Sequence, residues 1–74
     1  MAITLKAARV NAGLTQAEAA AKLRITPEAL ARWEKGKTFP TVPQINRIEK
    51  LYGVTYADIN FLPTNIGLTE VEEQ

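Results

Sequence analysis

The stretch TQAEAAAKLRITPEALARWEKG, residues 15–36, constrains the fold of this chain more than any other part of the sequence. Thr15 followed three residues later by Glu18 is the pattern of a capping box, in which each side chain satisfies a backbone N–H of the first helical turn. A helix is therefore predicted to begin at Gln16 and to end near Leu23 or Arg24. Its small alanines have high helix propensity and allow another helix to pack closely against it.

A second helix is predicted directly after the first. Thr26 can accept hydrogen bonds from first-turn N–H groups, and Pro27 stands at the first helical position, where proline is best tolerated. Leu30 and Trp33, three residues apart, give this helix an apolar face, and Gly36 is placed to end it in a left-handed cap. Two short helices joined by a tight turn form a helix-turn-helix, whose second helix can enter a DNA groove.

The residues of this motif, with others along the chain, resemble the helix-turn-helix of phage-repressor and Cro-like transcriptional regulators, the XRE-like family. The resemblance extends from Leu5 to Leu62 and rests on residues that occur in the order and spacing of that family. They are Arg9, Gly13-Leu14-Thr15-Gln16, Glu18, Ala20, Leu23, Ile25, Trp33-Glu34-Lys35-Gly36, Pro40 and Leu51-Tyr52-Gly53-Val54. The resemblance implies a repressor that binds a palindromic operator in double-stranded DNA as a homodimer.

Three more helices are predicted around the central pair. The first begins after Thr4 and runs to Ala12, since the following Gly13 is a helix stop. The fourth begins with the capping box formed by Thr41 and Gln44.

The fourth helix is predicted to end at Gly53, and a weaker capping box of Thr55 and Asp58 predicts a fifth helix that carries Ile59 and Leu62. The fold class expected is therefore all-α, a compact five-helix domain like that of lambda repressor.

Beyond the fifth helix the helical pattern is lost. The predicted organisation is a helix-turn-helix DNA-binding domain over residues 1–63 and a flexible tail or linker over residues 64–74. The tail contains three of the eight acidic residues, so the formal net charge of +1 rises to +4 when only the residues up to Asn65 are counted. This moderate basic bias is compatible with contact to phosphates.

Composition excludes several kinds of site. The chain has 74 residues and neither cysteine nor histidine, which excludes disulfides, thiolate metal sites, the usual zinc ligand sets and histidine-based catalytic triads. No apolar run approaches the ~20 residues that span a bilayer, and no signal-peptide pattern opens the chain, so a cytoplasmic protein without membrane contact is expected. No nucleophile with a base, paired carboxylates or Gly-rich phosphate loop is visible, so neither an enzyme nor a cofactor or metal site is expected.

The base-contacting residues implied by the resemblance are Pro27, Glu28 and Arg32. A guanidinium can bond guanine O6 and N7 together, a glutamate can accept from cytosine N4, and the proline ring can touch a thymine methyl. The alternative for Arg32 is a solvated surface arginine. The alternative for Glu28 is a purely local interaction with the helix dipole, which a first-turn carboxylate also favours.

The predicted phosphate contacts surround this helix. Gln16 stands at the N-terminus of the preceding helix, where free N–H groups suit an anion, and the resemblance implies a phosphate bond from its side chain. Thr26, Lys35 and Lys37 flank the recognition helix and are the next candidates. Lys6 is interpreted as a solvated surface charge, and so are Lys22 and Arg24.

An ion pair between Arg9 and Glu34 is the remaining implication of the resemblance. Glu34 follows Trp33 near a helix C-terminus, where the dipole disfavours a carboxylate unless a cation compensates. An alternative class of function stays open, because a small helical domain of low net charge could instead be a protein-interaction module or an antitoxin-like regulator. For the dimer, the predicted contact surface is apolar and C-terminal, and consists of Tyr56, Phe61, Leu62 and Ile66.

Overall fold

A computed structural model of the chain describes residues 2–61, and four α-helices make up most of that part. Their order along the chain, with two short strands and one 3₁₀ turn, is as follows: β1 Ile3–Thr4, α1 Leu5–Asn11, α2 Gln16–Leu23, α3 Pro27–Glu34, α4 Val42–Tyr52, the 3₁₀ turn Tyr56–Asp58, and β2 Ile59–Asn60.

Each of the four helices begins after a threonine. The hydroxyl of this threonine accepts a hydrogen bond from the backbone N–H three residues later, over 3.0–3.4 Å. These capping residues are Thr4, Thr15, Thr26 and Thr41. The predicted capping boxes of α2 and α4 are confirmed, since the side-chain oxygens of Glu18 and Gln44 accept hydrogen bonds from the backbone N–H groups of Thr15 and Thr41.

The helix ends also agree with the sequence. Gly13, Gly36 and Gly53 have positive φ angles and follow α1, α3 and α4 at the predicted positions. The end of α2 is different, because Arg24 adopts the same left-handed conformation at φ 62° without being glycine. The N–H of Ile25 then donates to the carbonyl of Ala20, as in a Schellman cap.

The hydrophobic core lies where the four helices meet. Ala19 and Ala20 on α2 are fully buried, so the backbone of this helix lies close to its neighbours, and the largest fully buried side chains are Leu5, Leu23, Leu30 and Ile48. Trp33 on α3 is buried in the same cluster. The helix-turn-helix is thus fixed through one face of α2 and one face of α3.

The predicted fifth helix is corrected by the structure. After the short turn at Tyr56–Asp58 the chain becomes extended, and β2 pairs in parallel with β1, with Ile3 opposite Ile59. The expectation of an all-α, five-helix fold is therefore wrong in this region, because pairing with the N-terminal strand and burial of the β-branched Ile59 outweigh a weak local helix signal. Thr55 and Asp58 do contact each other, since the carboxylate accepts from both the N–H and the hydroxyl of Thr55.

Several predictions fall outside the described residues. They are the domain boundary at residue 63, the tail at residues 64–74, and the dimer contacts of Leu62 and Ile66.

Candidate nucleic-acid interface

The exposed face of α3 carries the three predicted base-contacting residues. Pro27 and Glu28 are exposed in its first turn, and Arg32 is exposed one turn further on. Leu30 and Trp33 lie on the opposite face and are buried in the core. Neither Glu28 nor Arg32 takes part in an ion pair within residues 2–61, so both side chains are available to a ligand.

The predicted phosphate contacts lie at both ends of α3 and at the start of α2. Thr26 uses its hydroxyl oxygen to accept from the N–H of Ala29 at 3.1 Å, which leaves the hydroxyl proton free to donate. Lys35 and Lys37 are exposed just beyond the end of α3. Gln16 is only half-buried, and its side-chain amide donates from Nε2 to Glu34 Oε1 at 3.0 Å.

Arg9 and Glu34 are brought together beneath this surface. Arg9 donates from Nε to Glu34 Oε2 at 2.7 Å and from Nη2 to Oε1 at 3.4 Å, while its Nη1 donates to the carbonyl of Leu14 at 2.9 Å. The two side chains are 9% and 5% exposed. With Gln16 included, the network joins α1, the start of α2 and the end of α3, so it fixes the helix-turn-helix against the first helix.

A groove of about 500 Å³ opens beside this network. We call it the α2 groove, and the polar residues that line it include Lys6, Gln16, Glu34 and Lys35. Lys6 is exposed, as expected for a solvated surface charge, and it also lines the groove together with two predicted phosphate contacts, Gln16 and Lys35. The three-residue spacing from Lys6 to Arg9 was the sequence signal that could have placed it there.

Within residues 2–61, most acidic side chains accept hydrogen bonds from the protein, whereas most basic side chains form no ion pair. Residues 2–61 contain nine Lys and Arg against five Asp and Glu. Four of the five carboxylates accept hydrogen bonds within the fold, and they belong to Glu18, Glu34, Glu49 and Asp58. Of the nine cations in this part of the chain, Arg9 alone is in an ion pair. The surface therefore presents mainly unpaired positive charge, which attracts phosphates.

Two of these carboxylates are stabilised in their ionised form by helix caps. The hydrogen bond from the backbone N–H of Thr15 lowers the pKa of Glu18, with a further contribution from the Thr15 hydroxyl. The hydroxyl and then the backbone of Thr55 lower the pKa of Asp58 in the same way. Both groups stay charged at neutral pH while they serve a structural role.

A second surface of the described part is apolar. We call it the apolar groove, and it is lined by Phe39, Pro40, Ile45, Tyr56 and Phe61, among other residues. The rings of Tyr56 and Phe61 stack with centroids 5.5 Å apart. Phe39 and Tyr56 are more than half exposed, which is unusual for large aromatic side chains. The sequence had indicated Tyr56 and Phe61 but not Phe39.

Clusters of metal-ligating side chains and long apolar helices are both absent from residues 2–61. No three acidic, histidine or cysteine side chains there are close enough to hold a metal ion. The longest helix in this part has eleven residues, and none is both long and apolar enough to cross a bilayer.

Comparison with known proteins agrees with this geometry. The family model described as helix-turn-helix matches residues 5–59. The chain belongs to the helix-turn-helix family. Its resemblance to phage-repressor and Cro-like transcriptional regulators is thereby confirmed, and this family consists of DNA-binding proteins rather than enzymes.

One curated relative gives a more specific likeness within the helix-turn-helix family. The chain is 30% identical over 70 residues to the HTH-type transcriptional activator BcrR of Enterococcus faecalis. The match covers 95% of this chain and 34% of the relative, so the chain spans about a third of that protein's length. No solved structure matches the chain.

Proposed function

We propose that this chain regulates transcription by sequence-specific binding to an operator in the cytoplasm, with α3 as the recognition helix in the major groove. The observation that carries the proposal is the guanidinium of Arg32, which lies on the exposed face of α3 and has no ion pair within residues 2–61, where almost all cations are likewise unpaired. A guanidinium in that place can bond guanine O6 and N7 together. Glu28 and Pro27 then contact a cytosine amino group and a thymine methyl.

Phosphate contacts hold the recognition helix in register. Gln16, Thr26, Lys35 and Lys37 bind the DNA backbone, and the position of Lys6 in the α2 groove adds a fifth contact. Backbone contacts of this kind supply affinity without sequence preference, and they weaken as salt rises. The exposed face of α3 offers few hydrogen-bonding groups besides Arg32, so DNA shape contributes to specificity.

Two copies bind a palindromic operator as a homodimer. One recognition helix contacts too few base pairs to select a site from a genome, and half-sites one helical turn apart require helices about 34 Å apart. The described part of the chain measures 32 × 26 × 23 Å, dimensions that allow two copies side by side to hold their recognition helices about that far apart. The apolar groove begins at Phe39, soon after the recognition helix, and is the surface through which the copies meet.

A salt series of binding to duplex DNA tests the DNA-binding part of the proposal. Affinity for arbitrary duplexes should fall steeply between low and physiological salt, and selection from random oligonucleotides should yield a symmetric consensus. Absence of binding at low salt would instead favour a protein-interaction module, for which the apolar groove is the obvious docking surface.

Substitution in the apolar groove tests the dimer. Phe39→Ser and Tyr56→Ser should abolish cooperative binding to a palindromic probe, so that a one-protein complex accumulates before the second half-site fills, with little change in affinity for an isolated half-site. Val10→Ser is the matched control, because Val10 is as exposed as Tyr56 but does not line the groove. Retention of cooperative two-protein binding by both groove variants would contradict this interface.

Repression is the proposed outcome of binding, because a protein on a promoter can exclude polymerase by occupancy alone. Activation is the second candidate, since the curated relative is named a transcriptional activator. A reporter gene with the selected operator placed across, and then upstream of, a promoter separates them: a repressor lowers expression from the first arrangement, and an activator raises it from the second.

A further inference from the structure

The side-chain amide of Gln16 is held by a buried carboxylate rather than left free on the surface. Gln16 is the first residue of α2 and Glu34 is the last residue of α3, and their side chains meet at 3.0 Å. The side chain of Glu34 is 5% exposed, and Arg9 holds it through two N–H groups. The contact is therefore anchored in the interior of the fold and is not an accidental pairing of surface groups.

The chemistry of this contact fixes the direction of the amide. An ionised carboxylate only accepts hydrogen bonds, so the NH₂ group of Gln16 must face Glu34. A carboxamide is planar, and once one N–H is held by Glu34 the direction of the second N–H is set. That second N–H remains available to an acceptor outside the protein.

The surroundings of the amide suit an anionic acceptor. Gln16 lines the α2 groove together with Lys6 and Lys35, and neither lysine is in an ion pair within residues 2–61. The negative charge of Glu34 would repel a phosphate, but Arg9 neutralises it at 2.7 Å. The groove therefore keeps the positive balance of its two lysines while the carboxylate acts only as a hydrogen-bond acceptor.

We propose that Glu34 is a positioning residue for DNA binding: it orients the amide of Gln16 so that the second N–H donates to a backbone phosphate. Because the amide is already ordered in the free protein, less side-chain entropy is lost when the phosphate binds. The proposal rests on the function proposed above. It gives the buried ion pair a role in ligand binding in addition to its role in the fold.

The two N–H protons of Gln16 in the unmodified protein provide the first test. In ¹⁵N-labelled protein the proton that is hydrogen-bonded to Glu34 should resonate downfield of the matching proton of a solvated glutamine amide and should exchange more slowly with solvent. Adding a short duplex at low salt should move the resonance of the second proton and leave the first in place. Movement of both protons, with loss of the first hydrogen bond, would mean that Gln16 exchanges Glu34 for phosphate, and the positioning role would be wrong.

A mutant cycle on DNA affinity provides the second test. Glu34→Asp keeps the charge that Arg9 needs but withdraws the carboxylate from Gln16 by one methylene. In the unmodified background it should weaken binding by about threefold to tenfold, the equivalent of one hydrogen bond. In the Gln16→Ala background it should have almost no further effect. All affinities are measured where denaturation shows every variant to be folded.

The outcomes of the cycle are distinguishable. Equal losses in both backgrounds would show that Glu34 acts on DNA binding without Gln16, which overturns the proposal. If Gln16→Ala leaves the affinity unchanged, the phosphate contact itself is wrong although DNA binding stands. Failure of the unmodified protein to bind any duplex would refute the proposed function and this inference with it. Gln44→Ala is the control. The amide oxygen of Gln44 accepts a hydrogen bond in the α4 capping box, so this substitution is expected to leave DNA affinity unchanged.

Discussion

Arg9 and Glu34 lie 25 residues apart in sequence, and the guanidinium of one binds the carboxylate of the other over 2.7 Å with little exposure of either side chain. Removing one member of a buried ion pair leaves the other charged without compensation, which typically costs ~3–5 kcal/mol. An exposed pair of the same residues would contribute less than about 1 kcal/mol. Burial therefore decides the size of the expected effect.

Arg9→Met and Glu34→Gln should each lower the free energy of unfolding severely, by ~3–5 kcal/mol, and the double change should recover part of the loss. Chemical denaturation of the four proteins gives the coupling energy directly. A coupling near zero would mean that the two charges are effectively solvated.

Arg32→Ala should weaken binding to the selected operator by ~1–3 kcal/mol and relax the preference at one base pair, because a bidentate contact to guanine is lost. Lys37→Ala is the comparison. It should weaken all sequences alike and reduce the slope of log affinity against log salt by about one unit. Equal weakening of operator and random DNA by Arg32→Ala would exclude a base-reading role.

Tyr52→Phe should leave the free energy of unfolding unchanged or raise it by up to about 1 kcal/mol. The hydroxyl of Tyr52 is buried and has no hydrogen-bond partner within residues 2–61, so the tyrosine carries a desolvation cost that phenylalanine avoids. A loss of more than about 1 kcal/mol in thermal or chemical denaturation would show that the hydroxyl is satisfied in solution.

Tyr52→Phe should also remove the contribution of the Tyr52 phenol to the loss of stability at alkaline pH. Burial, with a further contribution from the charge of Glu34, raises the pKa of Tyr52 from 10.0 to about 12. Between these values the unfolded chain has released the phenolic proton while the folded protein retains it, so the free energy of unfolding falls as pH rises. The difference between Tyr52→Phe and the unmodified protein should therefore grow from about pH 10 to about pH 12, since all other titrating groups are shared.

Arg24→Gly should raise the free energy of unfolding by roughly 0.5–1 kcal/mol. Arg24 is the single non-glycine residue with positive φ in the described part of the chain, and this conformation costs roughly 1–2 kcal/mol, partly offset by the extra chain entropy of glycine. Gly53→Ala is the reverse experiment. A Cβ at residue 53 would meet no atom within 4 Å, so the free energy of unfolding lost on this substitution should reflect the backbone conformation alone. A higher free energy of unfolding for both variants would show that the left-handed backbone conformation does not decide stability at these positions.

The sequence alone predicts the four helices, because the signals that begin and end them lie in adjacent residues. A threonine before each helix and a glycine after three of them specify helix bounds within a few residues, because caps act on adjacent backbone groups. The exposed positions of Glu28 and Arg32 follow from the helical period once Leu30 and Trp33 are assigned to the core.

The features that the sequence did not predict depend on distant parts of the chain. The capping pattern of Thr55 and Asp58 predicts a helical conformation for Ile59. Its extended conformation is instead set by pairing with Ile3, which lies at the other end of the domain. The partner of the Gln16 amide and the buried Tyr52 hydroxyl, which has no hydrogen-bond partner within residues 2–61, likewise depend on how the helices pack, and neither has a signal in its own neighbours.

The pairing of β1 with β2 has a consequence for the order of folding. Joining residues 3 and 59 closes a loop that contains almost the whole described chain, and that closure costs entropy before any long-range contact offsets it. The helices need only local contacts and can form on a faster timescale. The strand pair is therefore expected to form after the rate-limiting step, so weakening it should accelerate unfolding and leave the folding rate nearly unchanged.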